Sequence, residues 1–306
     1  MTPPSASVIS ISGVAPATVL PDILPPAKVR RGLVGLMLTY PTITIGIALL
    51  LLMLLMAVLA PYLWTVDPTA LATHRRTRAP SAASWFGTDM LGRDIYSRVV
   101  YGSRVSLAVG FSVAILASLA GLAIGLVSGF VRWADGLIMR VMDGMMSIPP
   151  ILLAIALMAL TRGSVGNVIM AITLAEIPRV SRLVRSVVLS LREQPYVDAA
   201  VAAGTRTPMI ILRHILPNTL APLTVQATYV CASAMIIEAI LSFIGAGTPP
   251  TIPSWGNIMA EGRALWQVKP FIVFFPAAFL SVTVLAVNLL GDGLRDALDP
   301  RMAKAM

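Results

Sequence analysis

Charged side chains are scarce in this chain of 306 residues. Asp, Glu, Lys and Arg together make up 12% of the sequence, where a soluble domain carries about 25%. Hydrophobic residues make up 57%, and they form several long uncharged runs. This composition excludes an ordinary soluble protein and predicts an all-α integral membrane protein.

Lysine, histidine and cysteine are rare as well, and each shortage excludes a kind of site. None of the three lysines follows a glycine, so the Gly-Lys-Ser/Thr sequence of a nucleotide-binding P-loop is missing. Two histidines and one cysteine give no cluster at metal-ligand spacing. The lone Cys231 excludes an internal disulfide. We expect no catalytic site, no metal and no cofactor bound by this chain.

Six segments are apolar enough to predict transmembrane helices. The fourth is the least apolar, because Glu176, Pro178 and Arg179 interrupt it, and Pro149 with Pro150 should bend the third. That bend could serve a gate or be shape alone. The predicted spans are 42–63, 106–131, 137–160, 165–188, 220–245 and 271–290. The predicted divisions are a flexible tail at 1–41, an external loop at 64–104, a core at 105–291 and a C-terminus at 292–306.

Two further patterns flank the second span. Thr88 is a candidate N-cap for an amphipathic helix that continues through Leu91, Ile95 and Val99, and such a helix is typical of a membrane interface. Within the span, glycine recurs at every fourth position, at Gly121, Gly125 and Gly129. Small residues at this spacing let membrane helices approach closely, within one chain or between two subunits.

The longest polar interruption, 192–218, predicts an elbow of two short helices. Pro195 suits the first position of a helix, and Gly204 suits its end, where a left-handed residue is favoured. Thr207 is a candidate N-cap for the second helix, which we expect to stop at Pro217. The elbow is either a protrusion that docks onto a partner or a loop that covers the ends of the membrane helices.

This elbow resembles the cytoplasmic coupling loop of permease subunits in binding-protein-dependent ABC importers. That motif runs Glu-Ala-Ala, three residues, Gly, nine residues, Ile, one residue, Leu-Pro. This chain has Asp198, Ala199, Ala200, Gly204, His214, Leu216 and Pro217 at those positions. Asp198 stands where Glu is usual, and His214 stands where Ile is usual. Such a histidine is familiar in the peptide-transporting branch of the family.

A second resemblance points to the dipeptide, oligopeptide and nickel branch. It covers the stretch around 246–263, the ending near 289–301, and a signature before the second span. The signature residues are Gly87, Thr88, Asp89, Gly92, Arg93, Asp94, Ser97, Arg98 and Gly102. The tail and the first span lie outside the resemblance.

The distribution of basic residues predicts the orientation. The tail, the elbow side and the C-terminus carry 14 of the 23 basic residues, and the opposite loops carry 9. Basic residues are enriched in cytoplasmic loops, so both termini and the elbow are expected in the cytoplasm. The same scatter along the chain argues against nucleic acid as a partner.

The resemblance implies a permease subunit that forms the translocation pathway for di- or oligopeptides in the bacterial inner membrane. It also implies a homologous permease partner, two ATP-binding subunits that hold the ATP and Mg²⁺, and an extracytoplasmic substrate-binding protein. The alternatives are a permease for nickel or another small solute, a proton-coupled secondary transporter, and a membrane scaffold that transports nothing.

Glu238 lies well inside the fifth predicted span, where an ionisable group is costly. It could line the pathway and meet a substrate ammonium group. It could instead pair within the helical bundle, or lie near the outer boundary where water reaches it.

Overall fold

The computed structural model describes residues 39–161 and 163–298, and these are almost entirely helical. The first 38 residues of the predicted tail and the C-terminal residues 299–306 lie outside this range. The helices are α1 (Pro41–Val58), α2 (Ile95–Phe130), α3 (Arg132–Met146), α4 (Pro150–Ala159), α5 (Val165–Arg192), α6 (Pro195–Ala202), α7 (Thr207–Ile210), α8 (Leu216–Phe243), α9 (Trp255–Gly262) and α10 (Phe271–Leu298).

Four helical segments among the described residues are long and apolar enough to cross a membrane. They are α1, α2, the continuous segment from α7 through α8, and α10. The pair α3 and α4 would make a fifth if its two halves form one broken span. The prediction of an all-helical, multi-span protein is confirmed. The count of six stays a prediction, because α5 carries too many charges to pass by composition.

The separate interfacial helix predicted from Thr88 is wrong. Residues up to 94 form an irregular loop, and α2 then runs without a break from Ile95 to Phe130. Asp94 is the N-cap, since its carboxylate accepts the backbone N–H of Ser97 at 2.8 Å. The Thr88 hydroxyl accepts the backbone N–H of Arg78 at 2.9 Å instead. Apolar spacing alone did not separate the loop from the helix that follows it.

The third predicted helix is two helices. The chain turns by 86° between α3 and α4, across residues 147–149. Pro150 occupies the first turn of α4, a position that tolerates a missing N–H. The two prolines therefore break the helix and start a new one, where the sequence predicted only a bend.

The second elbow helix does not stop at Pro217. Residues Ile211–Ile215 form one wide π turn, in which the N–H of Leu216 bonds to the carbonyl of Ile211, and α8 follows directly. The side chains of Asn218 and Thr219 donate to the carbonyls of His214 and Ile215, at 2.7 and 2.9 Å. Pro217 lies in the first turn of α8, a position that tolerates a missing N–H, so the helical segment continues through it.

A short helix that the sequence did not predict, α9, lies in the segment before the last span. Ser254 caps it by accepting the N–H of Asn257 at 3.2 Å. Trp255 is fully buried, and its indole N–H donates to the carbonyl of Val99 at 3.0 Å. The helix is therefore pinned against the first turns of α2.

Helices α2 and α5 approach each other closely. The glycine stripe faces three valines of α5, with Gly121 against Val180 and Gly125 against Val184. A methyl group added at either glycine would stand 2.5 Å from the valine Cβ. Gly129 faces Val188 in the same way, at 2.7 Å. Of the two partners left open by the sequence, the structure shows one within the same chain.

We predict that Gly125→Ala lowers the thermal stability of the purified protein in detergent. The added methyl also meets the backbone carbonyl of Ser181 at 2.8 Å, so the two helices must separate. Overpacking of this kind costs about 1–3 kcal/mol. Gly144→Ala in α3 is the matched control, since nothing lies within 4 Å of its added methyl. Equal melting temperatures for the two variants would contradict the close approach.

Candidate coupling site

The elbow begins as a direct extension of α5. That helix ends at Arg192, and α6 starts at Pro195 after only two residues. Val197 and Ala200 turn into the main hydrophobic core, whereas Asp198 and Ala199 of the motif are exposed. The first arm of the elbow, α6, is thus packed against the core on one face and exposed on the other.

Gly204 closes the first arm in a left-handed conformation, with φ of 76°. The N–H of Thr205 bonds to the carbonyl of Ala200 at 3.0 Å, and the N–H of Gly204 bonds to that of Val201 at 2.9 Å. This pair of bonds is a Schellman motif, which satisfies the last carbonyls of a helix. Nothing lies within 4 Å of the position of a Cβ at Gly204. The glycine is required by the backbone angle, and the space beside it is free.

The second arm returns to the bundle through α7 and the π turn. Its N-cap is Arg206 rather than the predicted Thr207, which lies inside the helix. Ile210 and Ile215 are buried in the same core as the first arm. The rings of His214 and Tyr196 lie 6.2 Å apart, so the motif histidine faces the start of α6. Of the remaining motif residues, Leu216 is half-buried and Pro217 is exposed.

Four large apolar side chains of the elbow remain exposed. Val201, Met209 and Leu212 are each more than half exposed, and Tyr196 is 41% exposed. Large apolar side chains exposed on one segment are typical of a surface for a partner or a membrane. The elbow is therefore a protrusion that packs into the bundle on one side and is exposed on the other.

Glu238 lies apart from the elbow, in a chain of buried hydroxyl groups. Its carboxylate accepts from Ser242 at 2.9 Å and from Ser106 at 3.4 Å. Ser242 is also 3.1 Å from the hydroxyl of Thr248, and that hydroxyl accepts from the Asn257 amide at 2.9 Å. Glu238 is fully buried, so it contacts these groups and no open cavity. Its lining of the pathway stays a prediction, because the surrounding helices would first have to part.

The signature before α2 forms a buried ion cluster that spacing alone did not reveal. Asp89 is fully buried, and its carboxylate accepts from Arg93 and Arg98, each at 2.7 Å. Both arginines also pair with Glu261 of α9, 168 and 163 residues further along the chain. The signature around 87–102 and the stretch around 246–263, which both resemble the peptide branch, are therefore in contact. The ion cluster joins the 64–94 loop to α9. Sequence reasoning could not pair Glu261 with them, because the contact depends on the tertiary fold.

Among the described residues, no group of three or more His, Cys, Asp or Glu side chains could hold a metal ion. What the geometry offers is a helical bundle, an anchored elbow with an exposed apolar face, and a polar cluster at the other end of α2.

A sequence model described as the binding-protein-dependent transport system inner membrane component matches residues 117–304. The chain belongs to this family. This permease is 52% identical over 262 residues to a probable peptide ABC transporter permease of Sinorhizobium fredii, covering 86% of this chain and 90% of that protein. It is 43% identical to a dipeptide transport system permease of Alkalihalophilus pseudofirmus, covering 84% of this chain and 85% of that protein.

A glutathione transport system permease of Pectobacterium atrosepticum is 39% identical to this permease, over 82% of this chain and 84% of that protein. Among solved structures, the inward-facing MetNI methionine ABC transporter matches with a TM-score of 0.55 and 20% identity. That match covers 67% of this chain and 98% of the other chain, and at this identity it supports the fold alone. The family resemblance read from the sequence is confirmed.

We predict that Asp89→Asn strongly destabilises this permease. The neutral amide would leave Arg93 and Arg98 with the partly exposed Glu261 as their remaining carboxylate partner, and breaking a buried pair in this way costs about 3–5 kcal/mol. Asp67→Asn is the control. Asp67 is exposed, and hydrogen bonds from Thr69 alone hold its pKa below the usual value. The check is thermal unfolding in detergent, and an Asp89 variant no less stable than the Asp67 variant would contradict the prediction.

Proposed function

We propose that this permease forms half of a translocation pathway for short peptides, beside a homologous permease. Its relatives are named for peptide, dipeptide and glutathione transport, and all of these substrates contain peptide-type amide bonds. Nickel complexes and other small solutes remain alternatives within the same family. An extracytoplasmic binding protein would deliver the substrate, as the family description implies.

The driving force would come from two separate ATP-binding subunits, which hold the ATP and Mg²⁺. The elbow carries this part of the proposal, since it combines an anchored core side with exposed apolar residues. Closure of the ATP-binding subunits would displace the elbow, and α5 and α8 would tilt with it because they continue directly from its two arms. Contacts that differ between the two states are what allow ATP binding to shift the equilibrium.

The proposed topology has six passes, with the elbow and both termini in the cytoplasm. The passes would be α1, α2, the broken pair α3–α4, α5, α7–α8 and α10. Pass α5 fits this scheme despite its charges, since Arg182 and Arg185 pair with Asp143 and Asp135. The bias of basic residues towards the elbow side supports the orientation.

We predict that Gly204→Val abolishes peptide uptake by the complete importer in proteoliposomes, while the complex still assembles. A β-branched residue at a φ of 76° is strained by about 1–3 kcal/mol, which would distort the Schellman turn and the exposed face beside it. Uptake should fall at least about tenfold, which corresponds to about 1.4 kcal/mol. ATP hydrolysis should no longer respond to the loaded binding protein.

Gly204→Asn is the matched control for this variant. Asparagine tolerates the left-handed region, and the space around the position is free, so this variant should retain most of its uptake. Normal uptake by Gly204→Val would remove the elbow from the coupling step. Uptake by this chain without any ATP-binding subunit, driven by a pH gradient, would favour a secondary transporter instead.

A further inference from the structure

A pair of ion contacts ties α3 to α5 just before the elbow. Arg185 of α5 donates through Nε and Nη2 to both carboxylate oxygens of Asp135, at 2.5 and 2.6 Å. Arg182, one turn earlier on the same helix, pairs with Asp143. Two-pronged contacts of the first kind fix the orientation of both groups as well as their separation.

Helices α3 and α5 also contact each other beside the two ion pairs. Met142 of α3 is buried, and its sulfur accepts the hydroxyl of Ser181 at 3.5 Å. The Asp135–Arg185 pair is more enclosed than the other, with side chains 23% and 30% exposed. Arg182 and Asp143 are at least half exposed, so solvent weakens their attraction. The first pair is therefore the stronger tie between these helices.

The position of the pairs along α5 connects them with the elbow. Arg185 precedes the end of α5 by seven residues, about 10 Å along the helix axis. The same end of α5 is held to α2 by the glycine–valine contacts and by Arg192, which donates to the carbonyl of Gly129 at 3.3 Å. A displacement of the elbow thus reaches α3 through a stiff piece of helix.

The other end of α3 leads to the 86° break and to α4. One residue, Val131, joins α3 to α2. The ion pairs fasten α3 to α5 near the elbow, and α4 packs on the same helix. Without the ion pairs, the attachment of α3 to α5 is weakened at the end of α5 that moves with the elbow.

We propose that Asp135 and Arg185, assisted by Asp143 and Arg182, are positioning residues that make α3 and α4 follow α5 when the elbow is displaced. This inference rests on the proposed coupling role of the elbow. Helices α3 and α4 then change position within the bundle when the ATP-binding subunits change state. Loss of the tie uncouples ATP hydrolysis from transport, without removing any residue that contacts substrate or nucleotide.

The test is a charge exchange in the complete importer, reconstituted in proteoliposomes with its partner permease, ATP-binding subunits and binding protein. The variants are Asp135→Arg, Arg185→Asp and the double exchange of both. The probe is a pool of isotope-labelled di- and tripeptides. The readout is the amount of peptide taken up per ATP hydrolysed, measured on importer that has assembled. A merely structural role would change the yield and the melting temperature but not this ratio.

We expect each single variant to lower the ratio about fivefold or more, the range of typical coupling effects. The double exchange should restore it to within about twofold of the original, because opposite charges again face each other. Arg140→Asp is the matched control. It reverses a charge on the same helix at an exposed position that takes no part in these pairs, and it should leave the ratio unchanged.

Single variants with the original ratio would overturn the inference, and so would a double exchange as uncoupled as the single variants. If the single variants do not assemble, the neutral double variant Asp135→Asn with Arg185→Gln replaces them. A low ratio of peptide to ATP in this variant, together with a normal ratio in the double charge exchange, supports the inference. An unchanged ratio in the neutral variant refutes it. Gly204→Val in the same assay separates the two proposals. Uncoupling by Gly204→Val beside normal charge variants leaves the elbow's role intact, whereas a normal Gly204→Val importer refutes that role.

Discussion

The packing of the glycine face of α2 on the valine face of α5 holds the centre of the bundle together. At Gly121, Gly125 and Gly129 the valine side chains of α5 lie directly against the backbone of α2, so the two helices approach closely. The elbow continues from α5, and the buried ion cluster lies at the start of α2. The elbow and the ion cluster, at opposite ends of the bundle, are thereby linked by this tightly packed pair of helices.

The polar groups inside the bundle follow a common rule. In an apolar setting, a charge or hydroxyl is tolerated when its partners are supplied by the fold. Glu238 has two serine hydroxyls, and Asp89 has two arginines and two backbone N–H groups. Each group stabilises one arrangement of helices, and a change of arrangement must replace its partners.

The sequence predicted the helical class and most helix positions, since these follow from apolar runs and from the special backbone of proline and glycine. It placed Gly204 correctly at a left-handed turn. It failed where proline has two outcomes: Pro150 starts a helix after a full break, whereas Pro217 lies in the first turn of α8 and the helical segment continues through it. The Asp135–Arg185 tie was beyond its reach, because residues 50 positions apart are paired only by the packing of α3 on α5.

The coupling role of the elbow can be tested by asking what the elbow contacts in the assembled importer. A photocrosslinking amino acid at Val201, which is 58% exposed on the elbow, would be compared with one at Leu52, which is 57% exposed on α1. We predict a crosslink from position 201 to an ATP-binding subunit and none from position 52. Crosslinks from position 201 to lipid alone, or to the extracytoplasmic binding protein, would contradict a cytoplasmic elbow that is bound by the ATP-binding subunits.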